Sequence, residues 1–587
     1  MYNRHVNQMR EVMWYEDFYT SDTCIQSDLN LYCGWMNRKG SFSDCMPLYS
    51  KSQNATLIFY GENFVDGDTL TNSHDKHHAD YLMTLFEAYG IEFVKYLNGQ
   101  FSGILIDHNV KEIYLFTDRL GLNRIYYLQT EEAIWFSSEA KSILKLHPQT
   151  RELNIKQLYN YFYYGTPLSH YSLFDNISIL PGGSIWKFSA GLKIEKNKYF
   201  EIKDWEDQKK INISRFKEQF SQLFYRKINI YKNFDQKMAM SLTGGLDSRL
   251  ILSFIDSFDR PMPCYTFGNK FRECFDIRTA RRIADYIEQP YHVLEIDEGF
   301  FADFDQLAED VIFFSDGMMD ITGSHDLYLN RVARSISDFR LTGKFGSEVI
   351  RRSSTLNRFS YEDDYLDLEF KNYLDSSGAD ENNFNYKNPL TYTLLVDIPF
   401  NEFGRITVEK SQLTYLAPFI DYEILDLLYQ APDDVFASKN FIMDLIRSVN
   451  PEILHIRTDL GYGGKSNGIY SGIIEMSRWF LFKLEWYINE GMPHWLVKLN
   501  YSLPFINFED IFLGYNKFDH YRKWMKEDLS EYMKSILLDS KTLNRAYWNK
   551  KFIEKMVDDH IAGKGNYLKE IKRTISLELI HRTLLEN

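Results

Sequence analysis

The stretch Ser241-Leu242-Thr243-Gly244-Gly245-Leu246-Asp247-Ser248-Arg249 sets two adjacent glycines, two hydroxyls and a carboxylate between an apolar run and a helix-like one. These residue types suit one chemistry, the holding of an anion. Gly244 and Gly245 lack the Cβ that would keep a backbone away from phosphate oxygens. Thr243 and Ser248 can donate hydroxyl hydrogens, and Asp247 can hold a divalent ion that bridges phosphates. A helix starting here adds unpaired N–H groups. The lysine of a GxxxxGK[ST] loop is missing. A helix start with an acid in its first turn also arises for dipole reasons alone, so the residues by themselves leave both readings open.

Such a loop needs a strand before it and a helix after it. From about residue 213 the chain alternates helical patterns with short apolar runs, "KMAMSL", "MPCYTFG", "YHVLEI" and "DFRLTG", which predicts a parallel α/β sheet. Residues 1 to about 200 are strand-rich instead, with "ATLIFYG", "GILIDH", "EIYLFTD", "RIYYLQ" and "AIWFSSE" as strands and a helical stretch near Leu82–Leu97. "KNKYFEIKDW" reads as a connector, and beyond about residue 400 the pattern is mostly helical. We expect three units: 1–205, 213–500 and a helical extension over 501–587.

A length of 587 residues implies more than one core. The formal net charge of −15 argues against nucleic-acid and anionic-membrane partners. Five cysteines without paired spacing, no signal-like opening and no long apolar run point to a reducing cytoplasm.

"TGGLDS" resembles the S-G-G-x-D-S loop of the N-type ATP pyrophosphatases, with Thr243 at the first serine. "LNGQFSGILID" (Leu97–Asp107), "TDRLGLNRIYY" (Thr117–Tyr127), "WFSSEAKSIL" (Trp135–Leu144) and "LFDNISILPGG" (Leu173–Gly183) resemble, in order, the glutamine-amidotransferase half of asparagine synthetase. "CYTFG", "LTGKFGSE" and "APFIDYEILDLL" resemble that family's later landmarks. The resemblance implies an α+β N-terminal-nucleophile-hydrolase-like sandwich. An α/β parallel-sheet ATP pyrophosphatase domain, adenine nucleotide α-hydrolase-like, would follow it, with a mostly helical C-terminal extension. It implies ATP and Mg²⁺ as cofactors, with Asp247 as metal ligand. A carboxylate is adenylated with release of pyrophosphate, and ammonia or another amine then attacks. Leu242, Thr243, Gly244, Gly245, Asp247, Ser248, Arg249, Phe267, Thr342 and Gly343 are the implied nucleotide contacts. Arg249 in solvent and Phe267 as a core aromatic are the plain alternatives. A homodimer is allowed.

The departures are informative. The family's catalytic cysteine follows the initiator Met, where this chain has Tyr2, and Cys24 is internal. Tyr60 replaces the asparagine of the family's N-G-E turn, and Asn98 stands where an aspartate is usual. An inactive glutaminase is therefore expected, in halves that stay packed with any ammonia tunnel closed by aromatic side chains. In "LTGKFGSE", Lys344 replaces an acid and Ser347 the metal-holding aspartate, while Glu348 is kept. Asp459 meets the family's late lysine, for which Lys465 is a nearby substitute or an ordinary loop lysine. Lys344, Glu348 and Lys465 are the catalytic candidates. "SDGMMDITGSHD" (Ser315–Asp326) allows a metal site or simple helix-start carboxylates, and Asp421 reads as architectural. The amide-forming ligase thus competes with a non-catalytic, nucleotide-binding scaffold. A lactam-forming cyclase is a further alternative, since β-lactam synthetase and lasso-peptide cyclase relatives also lack the cysteine.

Overall fold

The computed structural model describes residues 2–63, 79–189, 193–232, 237–354, 356–378, 386, 388–436, 439–465, 469–502 and 508–586. In the first half, β1 (Tyr19–Gln26) and β2 (Leu31–Arg38) form an antiparallel hairpin. A six-stranded antiparallel sheet has the order β11-β10-β6-β5-β4-β3. Its strands are β3 (Leu48–Tyr49), β4 (Ala55–Asn63), β5 (Gly99–Asp107), β6 (Glu112–Thr117), β10 (Ser184–Ser189) and β11 (Lys193–Lys198). A smaller sheet joins β7 (Tyr126–Gln129), β8 (Ile134–Ser137) and β9 (Ser178–Ile179).

Period-two side chains explain why the large sheet is covered on both faces. Leu57, Phe59, Phe101, Leu105 and Phe116 pack with Leu82 and Leu85 of the helix Tyr81–Tyr89. Their neighbours Ile58, Ile104, Ile106 and Leu115 pack with Cys24, Leu31 and Cys33 of the hairpin. Tyr2 opens a helix, Tyr2–Glu11, that precedes the hairpin. The stretch read as a connector begins inside β11 and then buries Phe200 and Trp205, so it belongs to the packed structure.

The second half holds a five-stranded parallel sheet in the order β14-β13-β12-β15-β16. Its strands are β12 (Met238–Ser241), β13 (Cys264–Asn269), β14 (Tyr291–Ile296), β15 (Phe339–Thr342) and β16 (Thr414–Leu416). The chain runs outward from β12 through β13 to β14, then returns to the other side of β12. The direction of winding therefore reverses between β12 and β15, which opens a crevice at their carboxyl ends.

One apolar cluster joins both halves and the C-terminal helices. It includes Tyr126, Ile143 and Phe174, then Leu250, Leu341 and Phe419, then Met525, Ile553 and Ile571. Among the described residues no helix is long and apolar enough to cross a membrane.

Candidate functional site

The loop singled out in the sequence lies at this crevice, between β12 and the helix Leu246–Ser253. Gly245 is the N-cap and provides no side-chain cap, so first-turn amides stay available to a ligand. Thr243 is exposed. Its hydroxyl lies 3.1 Å from that of Ser248, whose Oγ also accepts from the Thr243 amide at 3.3 Å. Leu242 is wholly buried beneath, its amide donating to Tyr265 O and its carbonyl accepting from Thr266 Oγ1.

The loop after β15 meets the first one backbone to backbone. A Cβ on Gly343 would stand 2.6 Å from the Ser248 amide nitrogen, and one on Gly346 would stand 2.6 Å from Asp247 Cγ. Glycine is required at both places by this approach. Thr342 is buried at the end of β15, and its Oγ1 accepts from the Lys344 amide at 3.2 Å.

Asp247 faces this second loop. Its Oδ2 accepts from Ser347 Oγ at 2.7 Å and lies 3.6 Å from Arg351 Nη2. Its Oδ1 is buried without a hydrogen-bond partner. Burial raises its pKa, and Arg351 and Ser347 oppose that rise. These surroundings do not fit a divalent ion held by two carboxylates, the arrangement the resemblance implies. Ser347 brings no charge, and a guanidinium already stands beside the one acid. Among the described residues no three His, Cys, Asp or Glu side chains gather as a metal site.

The remaining candidates divide. Arg249 is not free to meet a phosphate, which corrects the expectation. It is fully buried and its guanidinium donates to the carbonyls of Ile453, Ile456 and Gly244, tying the loop to the segment behind it. The Lys344 ammonium is engaged by Glu409 at 3.3 Å, and Glu409 also takes Arg340. Glu348 lies on the short helix Gly346–Ile350, and burial pushes its pKa up to about 7. Phe267 is half-buried and stacks on Tyr265, with Phe518 edge-on. Lys465 is exposed and forms no hydrogen bond or ion pair with the described residues.

Sequence reasoning missed two residues at the loop, Asp276 and Arg351, and placed Asp459 only as the residue that meets the family's late lysine. Asp276 accepts from the Gly244 amide, and Asp459 packs against the same glycine. Burial, then the Asp459 charge, pushes Asp276 up to about 7. Arg351 is the other, beside Asp247. Neither Asp276 nor Arg351 had a local signal, because each reaches the loop from a distant part of the chain. The acids of Ser315–Asp326 are spent otherwise. Asp316 accepts from the amides of Ala140 and Lys141, Asp320 pairs with Lys572, and Asp326 pairs with Arg405.

A second pocket lies where the halves meet. Arg38, Tyr60, Glu62, Asn98, Lys410 and Tyr415 are among the side chains around a cavity of about 80 Å³. Among the described residues no cysteine lines it. Asn98 is turned to a bracing role, donating to Asp421 Oδ2 at 2.8 Å and accepting from the Tyr422 amide at 2.9 Å. Asp421 also caps the helix Tyr422–Tyr429 and meets Lys227, as an architectural residue would. Tyr415, which lines this cavity, has its ring 6.4 Å from that of Phe345 and 5.5 Å from the Lys344 ammonium.

Residues 43–200 match the glutamine amidotransferase domain, and residues 219–358 match asparagine synthase. A putative asparagine synthetase 2 (glutamine-hydrolyzing) of Methanocaldococcus jannaschii is 27% identical over 46% of this chain and 53% of its own length. The chain thus spans about half the length of that relative. Asparagine synthetase 1 (glutamine-hydrolyzing) of Bacillus subtilis is 20% identical over 92% of this chain and 87% of its own. Among solved structures, an allosteric regulatory enzyme of purine biosynthesis aligns with 50% of this chain at 10% identity and a TM-score of 0.24. With an amidotransferase domain followed by an asparagine synthase domain, in the order of the synthetases it resembles, the chain belongs to the asparagine synthetase family.

Proposed function

We propose that the protein is an ATP-dependent carbon–nitrogen ligase that draws its nitrogen from a source other than its own glutaminase half. The observation that carries this is the pairing of two loops at the crevice between β12 and β15. There Gly343 and Gly346 bring the second loop against Asp247 and Ser248, beside an uncapped helix start. Thr243, Gly244, Gly245, Ser248, Thr342 and Gly343 would hold the phosphates. A carboxylate oxygen attacks the α-phosphorus of ATP, the α–β bridging bond breaks, and pyrophosphate leaves. An amine nitrogen then attacks the acyl carbon, AMP leaves, and the nitrogen gives up a proton. The loop amides serve this by stabilising charge on the departing pyrophosphate. Free ammonia and a larger amine both satisfy the balance.

The rival reading, a nucleotide-binding scaffold without turnover, draws on a different observation. Asp276 occupies the Gly244 amide, and Lys344 is spent on Glu409. Pyrophosphate release from Mg·ATP, measured over a panel of carboxylates with ammonium present, separates the two. The ligase predicts turnover that Asp247→Ala abolishes and Cys24→Ala leaves intact. ATP binding with no pyrophosphate from any carboxylate decides for the scaffold.

A further inference from the structure

Asp247 and Ser347 share a cation that the chain itself supplies. Arg351, at the end of the helix Gly346–Ile350, lies 3.6 Å from Asp247 Oδ2 and also donates through Nη2 to Ser347 Oγ. Its Nε is buried without a hydrogen-bond partner, and so is the second oxygen of Asp247. The site therefore holds an oriented guanidinium with an unused donor, next to free helix-start amides. A guanidinium presents a planar fork that matches phosphate oxygens and keeps its charge at any working pH. A divalent ion seated at the same carboxylate would have to enter beside that fixed positive charge.

We propose that Arg351 takes the place of a metal ion at Asp247, binding the phosphate oxygens of a nucleotide or of pyrophosphate at the Thr243–Ser248 loop. Asp247 then acts as the acceptor that orients Arg351, and Ser347 completes the link between them. This inference rests on the proposed nucleotide site and extends it, by stating that anion binding there does not require a divalent ion.

The test is calorimetric titration of the full chain with ATP and with inorganic pyrophosphate, once in Mg²⁺ and once in EDTA. Both ligands are expected to bind in EDTA within about threefold of their affinity in Mg²⁺. Arg351→Ala should lower the EDTA affinity by about tenfold or more, with Arg351→Lys between the two. Ser347→Asp combined with Arg351→Ala should make binding depend on Mg²⁺. Circular dichroism melting of each variant reports whether the fold is kept, and Arg351→Lys carries the test if the alanine variant fails to fold. ATP binding that vanishes in EDTA and is indifferent to Arg351 overturns the inference while leaving the nucleotide site standing. Absence of ATP binding in both buffers overturns the site and the inference together.

Discussion

Glu62 sits in the cavity between the halves with one carboxylate oxygen unpaired, and burial pushes its pKa up to about 7 against the pull of Arg38 and Lys410. Glu348 and Asp276 are raised in the same direction, also by burial. In each case the folded chain prefers the neutral acid, so it binds more protons than the unfolded chain over the window from about pH 4.5 to pH 7. The stabilising contribution is complete below that window and is lost as pH rises through it. The thermal midpoint should therefore fall between pH 5 and pH 8. Glu62→Gln should flatten part of that fall and exceed the wild type in stability at pH 8. Parallel pH profiles for the two proteins would refute the assignment. The departures from the family's glutaminase pattern lie at the same scale. Tyr2 and Asn98 are legible in the sequence as departures from the family pattern, whereas the bracing of Asn98 onto Asp421 and Tyr422 depends on a partner more than 300 positions away.

Two loops and the elements behind them decide whether the crevice works. Gly346→Ala would drive a Cβ into the Asp247 carboxylate, and Gly343→Ala would drive one into the Ser248 backbone. Either variant should lose ATP affinity by about tenfold or more while the far-UV spectrum stays native, because the clash is local. Arg249→Met tests the support instead. It leaves the carbonyls of Ile453, Ile456 and Gly244 without their donor in a dry setting, at a cost of about 2–4 kcal/mol measurable by urea unfolding. How far these elements could be read in advance follows from where their information lies. β4, β5, β6 and the first four parallel strands show themselves as apolar runs, and the Thr-Gly-Gly loop shows itself by composition. β16 is three residues long and is a strand only because β15 lies beside it. Arg249 directly follows the Thr243–Ser248 loop in the sequence, and Arg351 follows the Gly343–Gly346 loop. Folding sends one backwards into the core and the other onto Asp247, and no local pattern distinguishes them.

On the proposed reading, in which the first half supplies no ammonia, the question is why that half is kept. The packing gives a physical answer. Apolar residues of the first half, among them Tyr126, Tyr161 and Phe174, belong to the same cluster as the strands and helices around the Thr243–Ser248 loop. Buried polar braces add to this. Asp316 accepts from the backbone of Ala140 and Lys141 and faces the Lys141 ammonium, which also meets Glu139. Thr166 reaches the Phe400 carbonyl at 2.9 Å, and Arg124 reaches that of Pro399. A chain cut to begin at residue 213 would expose the matching apolar face and strand those polar partners, so it should fail to fold alone. In the intact protein the halves should melt as one cooperative unit. Asp316→Ala, which leaves Lys141 with one partner fewer and two buried amides unpaired, should cost about 3–5 kcal/mol and shift that single transition as a whole. Scanning calorimetry reads both expectations at once. Two resolved transitions, with only the first moved by Asp316→Ala, would mean that the halves are stable separately and that the retained domain has to be explained by something other than the core it shares.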